Sequence, residues 1–269
     1  MYERCGEIST AQNLFFGSSR GSLVLWNTML SAYVEHDQPN KALRLYKLMH
    51  KEGQRPGERT FVAILQACST YAENEEAIFV GKSLLKVRSF EMGSAVHVDA
   101  RRKGFDTNEY VVSALLNMYG KCGNLSRAKE VFEELPVRNV ISWSALIGGF
   151  IQHKQYHEAF HCFEQMQTEC VSPNAITFTY ILKSCGLTRA ITKGKQLHDD
   201  IISQGLLKKD IVLGSALVEM YVNCGYLAKA QQVHDGFDVK NVVSWNALIL
   251  GYVQQGQEYE AFRCLEMMR

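Results

Sequence analysis

The feature that most constrains this 269-residue chain is a pair of short words that recur in step. One word reads MYERCG, MYGKCG and MYVNCG, and its copies start at Met1, Met118 and Met220, with spacings of 117 and 102 residues. A Trp lies 25 residues after the start of each copy, at Trp26, Trp143 and Trp245. Because two unrelated words keep the same spacing, we infer a duplicated unit, which decides the architecture before any local pattern does. Repeats usually build an extended binding surface, and this weakens any enzymatic interpretation.

The 102-residue period is itself composed of three related repeats. Each repeat opens with an apolar segment and closes with a polar residue after a turn. The order of lengths occurs twice, and an insertion of 15 residues between Tyr71 and Met92 explains why one period is longer. The predicted organisation is one repeat domain over residues 1–269, with repeats at 1–22 (partial), 23–57, 58–108 (with the insertion), 109–139, 140–174, 175–210, 211–241 and 242–269 (partial).

Each repeat has the apolar periodicity of two short helices. In repeat 140–174, Trp143, Leu146, Ile147 and Phe150 recur at helical spacing, and a second apolar stripe follows a polar turn. No strand-like alternation is sustained anywhere in the sequence. Since neither helix can bury its stripe alone, the repeats must stack. We therefore predict an all-α fold, a right-handed α-solenoid (superhelix) of stacked two-helix repeats with a tetratricopeptide-like helical architecture.

Composition restricts the partners only mildly. The 29 basic and 28 acidic residues leave a net charge of +1, which counts against a strongly basic nucleic-acid-binding domain but not against a partner recognised through its bases. No apolar run reaches membrane-spanning length, so we expect no membrane partner. Met1 falls within a repeat, so we expect no signal or transit peptide in this sequence.

The eight cysteines lack the spacing of a metal site, because no CxxC pair occurs. Buried thiols between helices are the expectation, with a weak indication of a reducing compartment. His153, His157 and His161 are spaced by four residues, but HExxH is absent and we expect a solvated face. We predict no metal and no cofactor. Seven cysteines hold matched repeat positions: Cys5, Cys122 and Cys224; Cys68 and Cys185; Cys162 and Cys264.

The chain resembles the pentatricopeptide repeat proteins, specifically the plant-type subclass that cycles P, L and S repeats. VISWSALIGGFIQHKQYHEAFHCFEQMQTECVSPN is similar to a P-type repeat, AITFTYILKSCGLTRAITKGKQLHDDIISQGLLKKD to an L-type repeat and IVLGSALVEMYVNCGYLAKAQQVHDGFDVKN to an S-type repeat. The resemblance covers essentially the whole chain in the order P-L-S-P-L-S-P, and it departs from the pattern at the insertion and at the two incomplete end repeats. Tetratricopeptide repeats are less similar, since they favour Gly where this chain has Leu146 or Leu248.

A small polar residue directly follows each recurring Trp, at the fifth place of its repeat, and the last place is mostly polar as well. Because stacked helix pairs align their first helices on one surface, the fifth-place and last-place side chains of one repeat can converge on one ligand group. Such pairs of amides, hydroxyls and carboxylates can discriminate the base edges of single-stranded RNA, one base per repeat. The predicted base-reading residues are Asn27, Gly57, Ser113, Asn139, Ser144, Asn174, Thr179, Asp210, Ser215, Asn241 and Asn246.

The resemblance also implies a base for each pair and a second set of contact residues. A fifth-place Ser with a last-place Asn goes with adenine, Thr with Asp goes with guanine, and a fifth-place Asn goes with a pyrimidine. The five repeats from residue 109 onward then read A-A-(G)-A-pyrimidine, five prime to three prime. Second-place residues are implied to wedge between successive bases, and these are Val24, Tyr110, Ile141, Ile176, Val212 and Val243.

The resemblance implies the targeting portion of an organelle RNA-editing or RNA-processing factor, in mitochondria or chloroplasts, with other editing factors as partners and no small-molecule substrate. The HxE and PCxxC motifs of a cytidine deaminase are missing, so we predict no catalysis by this chain, and such a domain would belong to a longer parent protein. One alternative is a protein-binding helical scaffold, and a second is a truncated product without a function. A third is that the recurring polar residues only cap helices, since Ser and Asn favour helix ends.

Overall fold

The computed structural model describes residues 8–17, 22–80, 83–207, 210–237 and 240–268. Over these residues the chain consists of α-helices joined by short turns, with one small hairpin, and this confirms the predicted all-α fold of paired helices. The chain divides into two compact units, Met1–His153 and Lys154–Arg269, which we call the N-terminal and C-terminal units. The first copy of the recurring word, at residues 1–6, lies outside the described residues.

In the N-terminal unit, the first and second helices of successive repeats form two layers. Helices α2, α4, α6 and α8 pack side by side in one layer, while α3, α5 and α7 each pack against two of them from the other layer. Short helices gain most of their stability from such packing rather than from propensity. The helices of this unit are α1 (Ile8–Gly17), α2 (Leu23–Glu35), α3 (Pro39–Lys51), α4 (Glu58–Asn74), α5 (Val87–Arg102), α6 (Glu109–Cys122), α7 (Leu125–Glu133) and α8 (Val140–Gln152).

The C-terminal unit repeats this two-layer arrangement. Helices α10, α12 and α14 pack side by side, α11 and α13 each contact two of them, α9 packs on α10 and α15 packs on α14. The first helices of both units begin at residues 23, 58, 109, 140, 175, 211 and 242. The helices of this unit are α9 (Tyr156–Thr168), α10 (Ala175–Thr188), α11 (Ile191–Ser203), α12 (Ile211–Asn223), α13 (Leu227–Asp235), α14 (Val242–Gln254) and α15 (Glu258–Met268).

The Tyr of the recurring word anchors its helix to the preceding repeat. The hydroxyl of buried Tyr119 lies 2.9 Å from Nδ1 of buried His97. Tyr221 makes the same contact with His198, also at 2.9 Å. Burial lowers the pKa of both imidazoles, because it disfavours their charged form. At Tyr119 and Tyr221, the two described copies, the side chain therefore fills the core and satisfies a buried ring nitrogen.

The Met of the recurring word requires a Gly in the neighbouring second helix. A Cβ on Gly194 would lie 2.6 Å from Sδ of Met220, which is closer than two such atoms can approach. Gly93 faces Met118 in the same way. A side chain at either Gly would therefore have to displace the buried thioether of Met118 or Met220.

The Cys and the final Gly of the word end the first helix. Cys122 is the last residue of α6, and Gly123 follows with φ of 84°. Gly225 has φ of 83° at the matched turn after Cys224. This left-handed conformation costs little for Gly, so the position terminates the helix and starts the turn to the second helix.

The recurring Trp fills the space between two repeats. All three Trp side chains are buried, and each meets an aromatic ring from the second helix of the preceding repeat at an edge-to-face angle. Such pairs contribute about 0.5–1.5 kcal/mol beyond the area that they bury. The ring centroids are 5.0 Å apart for Phe15–Trp26, 4.5 Å for Phe132–Trp143 and 4.2 Å for His234–Trp245.

The insertion forms a small hairpin, an element that the predicted helical repeats did not include. Strands β1 (Ile78–Val80) and β2 (Ser83–Leu85) pair antiparallel, with Ile78 opposite Leu85. Ile78 and Phe79 are strongly exposed. Three-residue strands are too short to give a readable alternation in the sequence, so periodicity could not reveal them.

The insertion leaves the helix packing around it intact. The carboxylate of Glu75 accepts the backbone N–H groups of Arg88 and Ser89 at 2.8 and 2.9 Å, so it caps α5. Burial alone would raise the pKa of Glu75, but these hydrogen bonds and that from the Ser89 hydroxyl outweigh it and lower the pKa. Helix α5 then packs on α4 and α6 as its counterparts do.

The thiols have the predicted environment in most positions. Burial raises the pKa of Cys68, Cys122 and Cys185 to about 12, as for inert core thiols. Cys224 is half-buried, Cys170 is exposed and Cys5 lies outside the described residues. None of the described helices combines the length and the apolarity that a membrane crossing requires. The buried thiols are Cys68, Cys122, Cys162, Cys185 and Cys264.

Candidate nucleic-acid interface

The last residue of each complete repeat is the N-cap of the next first helix. Where this residue is Asn or Asp, its Oδ1 accepts backbone N–H groups of the following turn. Oδ1 of Asn139, for example, accepts from Ile141 and Ser142, both at 3.0 Å. Capping therefore occupies the oxygen of each amide, and it leaves the amide nitrogen to contact other groups. These N-caps are Gly57, Asn108, Asn139, Asn174, Asp210 and Asn241.

The fifth-place hydroxyls donate to the backbone of their own helix. Ser144, Thr179 and Ser215 donate to the carbonyl oxygen four residues earlier, at 2.7, 2.8 and 2.8 Å. A hydroxyl that donates its proton in this way can still accept a hydrogen bond through its oxygen, as Oγ of Ser215 does from Asn241. Ser113 is half-buried on α6, and Asn246 is exposed on α14.

In repeat 211–241 the fifth-place and last-place side chains are in direct contact. Nδ2 of Asn241 donates to Oγ of Ser215 at 2.8 Å, while Oδ1 of the same amide accepts the backbone N–H of Ser244 at 2.8 Å. The two residues are 26 positions apart in sequence. A hydroxyl and an amide of one repeat therefore form a single polar pair at the start of two adjacent first helices.

The other predicted pairs differ in how they are joined. Oδ1 of Asn27 accepts from the hydroxyl of Thr60 at 2.7 Å, and that hydroxyl accepts the backbone N–H of Gly57 at 3.1 Å, so Thr60 bridges this pair. Within the residues that the structure covers, no hydrogen bond joins Ser113 to Asn139 or Thr179 to Asp210. The members of the pair Ser144 and Asn174 belong to different compact units.

All six predicted second-place residues are exposed apolar side chains. Their exposed fractions range from 45% for Ile141 to 70% for Val24. A single exposed aliphatic residue is ordinary, but six at one place of the repeat form a pattern that core packing does not explain. The remaining four are Tyr110, Ile176, Val212 and Val243.

A cleft of about 630 Å³ in the N-terminal unit crosses the layer of first helices. Second-place residues Val24, Arg59 and Tyr110, from α2, α4 and α6, line this cleft. Fifth-place residues Asn27 and Val62 line it too. The second place therefore lines this cleft in three successive repeats, and the fifth place lines it in the first two of them.

Sequence reasoning missed two sets of contacts at these helix starts. The carboxylates of Glu58 and Glu109, at the first place of their repeats, accept from the amides of Asn108 and Asn139 at 2.9 and 3.0 Å. Four repeat junctions have a hydroxyl residue three positions after the last place, and at Thr60 and Ser142 it accepts the backbone N–H of the N-cap residue as in a capping box, which this spacing could have signalled. These hydroxyl residues are Thr60, Ser142, Thr177 and Ser244.

Titratable side chains do not gather into a metal site in the described ranges. No group of three or more His, Cys, Asp or Glu residues there has an arrangement that could hold an ion. His153 is the C-cap of α8, and Nε2 of this ring lies 2.6 Å from the carbonyl oxygen of Gly120. His157 and His161 are exposed on α9.

The chain matches sequence models of known repeats and is similar to plant proteins. The PPR repeat family matches residues 22–70 and 138–186, and the PPR repeat matches residues 110–140 and 243–269. A pentatricopeptide repeat-containing protein of Arabidopsis thaliana is 33% identical over 94% of this chain. A chloroplastic and a mitochondrial one from the same plant are each 31% identical over 100% of it. The chain spans 43%, 41% and 37% of the lengths of these three relatives.

Solved structures show the same fold. The pentatricopeptide repeat protein PPR10, in complex with an 18-nt psaJ RNA element, aligns with a TM-score of 0.72 and 22% identity, covering 99% of this chain and 38% of that one. PPR10 from maize aligns with a TM-score of 0.54 and 17% identity, covering 97% of this chain and 41% of that one. With the repeat matches over more than half of its length, the chain belongs to the pentatricopeptide repeat family.

Proposed function

We propose that this chain binds single-stranded RNA sequence-specifically, with one base read by each repeat. The observation that carries the proposal is the cleft in the N-terminal unit, whose lining includes second-place residues of three successive first helices and fifth-place residues of two of them. The contact between Ser215 and Asn241 supports the pairing of fifth and last places. RNA is the fitting ligand, because its unstacked bases offer both apolar faces and hydrogen-bonding edges at a regular spacing.

In this proposal the apolar second-place residue and the polar pair of a repeat contact different parts of the RNA. Exposed second-place residues such as Val212 and Val243 contact the faces of successive bases, and the polar pair between them contacts the edge of one base. Stacking on an aromatic side chain contributes about 1–3 kcal/mol per base, and aliphatic side chains lie at the low end. Base discrimination therefore rests on the polar pairs, and affinity rests on how many repeats act together.

The repeat boundaries given above fix the register of the proposed RNA. Repeats 109–139, 140–174 and 211–241 take adenine, since each has a fifth-place Ser and a last-place Asn. Repeat 175–210 takes guanine through Thr179 and Asp210, whose carboxylate accepts the N–H groups on the edge of that base. Asn246 takes a pyrimidine. The core target reads A-A-G-A-pyrimidine in the direction of the chain.

Electrostatics supports recognition through bases more than through phosphates. The cleft of the N-terminal unit has Glu35 and Glu58 in its lining beside a single cation, Arg59. The net charge of the whole chain is +1. Few phosphate charges are therefore neutralised, and the affinity should depend only weakly on salt.

The biological setting is proposed from the relatives. Relatives of this chain include a chloroplastic and a mitochondrial protein, and we place this chain in one of these organelles. We assign it to the subclass with P, L and S repeats, as the targeting portion of an RNA-editing or RNA-processing factor. Other editing factors are its further partners, and the chain itself supplies binding rather than catalysis.

A titration of the 269-residue chain tests this function. Fluorescence anisotropy at one fixed salt concentration would compare an RNA containing AAGAC with a uridine-only RNA of the same length. We expect the first to bind at least about tenfold more tightly, a difference of about 1.4 kcal/mol. Equal affinities would contradict sequence reading, and binding of a peptide library with no RNA affinity would favour the protein-binding scaffold.

A matched pair of variants locates the binding surface. Val243 and Val253 are similarly exposed on α14, with 58% and 55% of their surface accessible, but only Val243 holds the second place. We expect Val243→Asp to weaken RNA binding and Val253→Asp to leave it unchanged. Equal loss in both variants would contradict the assignment of the second place to base contacts.

A further inference from the structure

Two repeats of the N-terminal unit carry a carboxylate beside their last-place amide. Nδ2 of Asn139 donates to Oε2 of Glu109 at 3.0 Å, and Nδ2 of Asn108 donates to Oε2 of Glu58 at 2.9 Å. In both cases the Glu is the first residue of the same repeat that the Asn ends. The contact therefore recurs independently, with the same geometry, wherever this pair of residues occupies the first and last places.

The orientation of the Asn139 amide is fixed by its surroundings. Its Oδ1 accepts two backbone N–H groups, those of Ile141 and Ser142, so this oxygen must face the start of α8. The nitrogen then faces away from the helix, and there it meets Glu109. An inverted amide would bring its N–H groups against the backbone N–H donors, which is unfavourable.

Repeat 211–241 provides an internal comparison. It has the same fifth-place Ser and last-place Asn as repeat 109–139, but its first residue is Ile211. There Nδ2 of Asn241 donates to the fifth-place hydroxyl of Ser215. In repeat 109–139 the equivalent nitrogen donates to Glu109 instead. The first residue thus changes where the reading amide is directed, although the two reading residues are identical.

We propose that Glu109 is a third base-reading residue, which shifts the preference of repeat 109–139 from adenine towards guanine; this rests on the proposed RNA-binding function. In our proposal the amide of Asn139 contacts the base edge, and the carboxylate of Glu109 lies next to the nitrogen of that amide. The carboxylate also accepts one of the two N–H groups of this nitrogen, so that N–H is no longer available to a base. The site therefore offers the base one more hydrogen-bond acceptor and one fewer donor. Guanine offers N1–H and N2–H₂ donors to an acceptor, whereas adenine presents its ring N1 as an acceptor.

The free chain leaves this carboxylate available. Glu109 is the first residue of α6, and its side chain is exposed to solvent. A carboxylate that accepts an N–H from a base forms a charge-assisted hydrogen bond, which is stronger than a neutral one. Glu58 makes the same contact with Asn108, but Val62 stands at the fifth place of its repeat, so that repeat has no assigned base preference for a carboxylate to shift.

Exchange of the first-place residue between the two matched repeats tests the inference. The 269-residue chain and its Glu109→Ile and Ile211→Glu variants would be titrated with RNAs that carry A, G, C or U at the base aligned with the altered repeat. We expect Glu109→Ile to shift the guanine-to-adenine affinity ratio about tenfold towards adenine at its own base, as for one charged hydrogen bond. Ile211→Glu should shift the ratio towards guanine at the base of repeat 211–241.

The remaining outcomes overturn the inference and are distinguishable from each other. An equal change of affinity for all four RNAs would show that Glu109 only repels RNA. Unchanged affinities in both variants would show that Glu109 is only a charge at the helix terminus and does not contact the base. In both cases the proposed function stands. If the unchanged chain binds none of the RNAs, the proposed function fails and this inference fails with it. Glu109→Gln, which keeps the size of the side chain, would separate the loss of the charge from any local change in fold.

Discussion

Replacement of Asn241 separates its role as a helix cap from its proposed role as a reader. In Asn241→Ala, the backbone N–H of Ser244 loses the acceptor that now lies 2.8 Å away. Loss of an N-cap costs about 1 kcal/mol, within a range of roughly 0.5–2. In Asn241→Asp the cap is retained, because a carboxylate oxygen accepts the same N–H and Asp caps helices as well as Asn does. The contact with the Ser215 hydroxyl is retained when that hydroxyl turns its one proton from the carbonyl oxygen of Ile211 to the carboxylate.

Hydrogen exchange resolved by mass spectrometry measures this difference at the helix itself. A loss of about 1 kcal/mol corresponds to roughly fivefold faster opening, so peptides that cover the first turn of α14 should exchange about fivefold faster in Asn241→Ala. Asn241→Asp should exchange as the unchanged chain does. Equal acceleration in both variants, or no acceleration in Asn241→Ala, would refute the capping argument. Only the Asp variant is then suitable for testing base preference, because it leaves the helix start intact.

Three further predictions concern acid stability, core packing and salt. Burial lowers the pKa values of His97 and His198 in the folded state below the unfolded value of about 6.5. The free energy of unfolding should therefore be highest above pH 6.5 and should fall at lower pH, by up to about 1.4 kcal/mol per pH unit for each ring. Urea unfolding from pH 7.5 to 5 should show this fall, and an unchanged slope in His97→Gln/His198→Gln would contradict it. Gly194→Val should destabilise the chain by about 1–3 kcal/mol in the same assay, because its Cβ meets Met220, while Thr192→Val on the exposed side of the same helix should change little. The slope of log affinity for RNA against log salt should not exceed about 2 in magnitude, equivalent to roughly three phosphates, and a steeper slope would indicate a phosphate-dominated site.

The paired helices could be predicted from the sequence because each repeat carries the same pattern of residues. Trp143 and Trp245 recur at one place, and both are buried against the preceding second helix. Val24 and Val212 recur at another place, and both are exposed. When a residue type recurs at one place in several repeats, the recurrence indicates a shared environment and not a coincidence. A globular sequence without repeats offers no such internal comparison.

Contacts between residues that are not copied could not be predicted. The link between Glu109 and Asn139 joins two positions 30 residues apart, and only two repeats have it. The hairpin in the insertion has no counterpart in repeat 175–210, where the equivalent turn is Arg189 and Ala190 between α10 and α11. The predicted pairing of fifth and last places appears directly in Ser215 with Asn241, but elsewhere local partners compete for the same atoms. Such competition depends on geometry at the level of single hydrogen bonds, which a repeat pattern does not encode.

Base exchange at repeat 211–241 is the decisive experiment on whether one polar pair reads one base. The unchanged chain and Asn241→Asp would each be titrated with four RNAs that differ only at the base aligned with that repeat, the fourth of A-A-G-A-pyrimidine. In Asn241→Asp we expect the preference at this base to move from adenine towards guanine by about tenfold, since a carboxylate accepts hydrogen bonds but cannot donate them. Preferences at the other four bases should stay as they were. An unaltered preference at the fourth base, or an equal change at every base, would contradict the account.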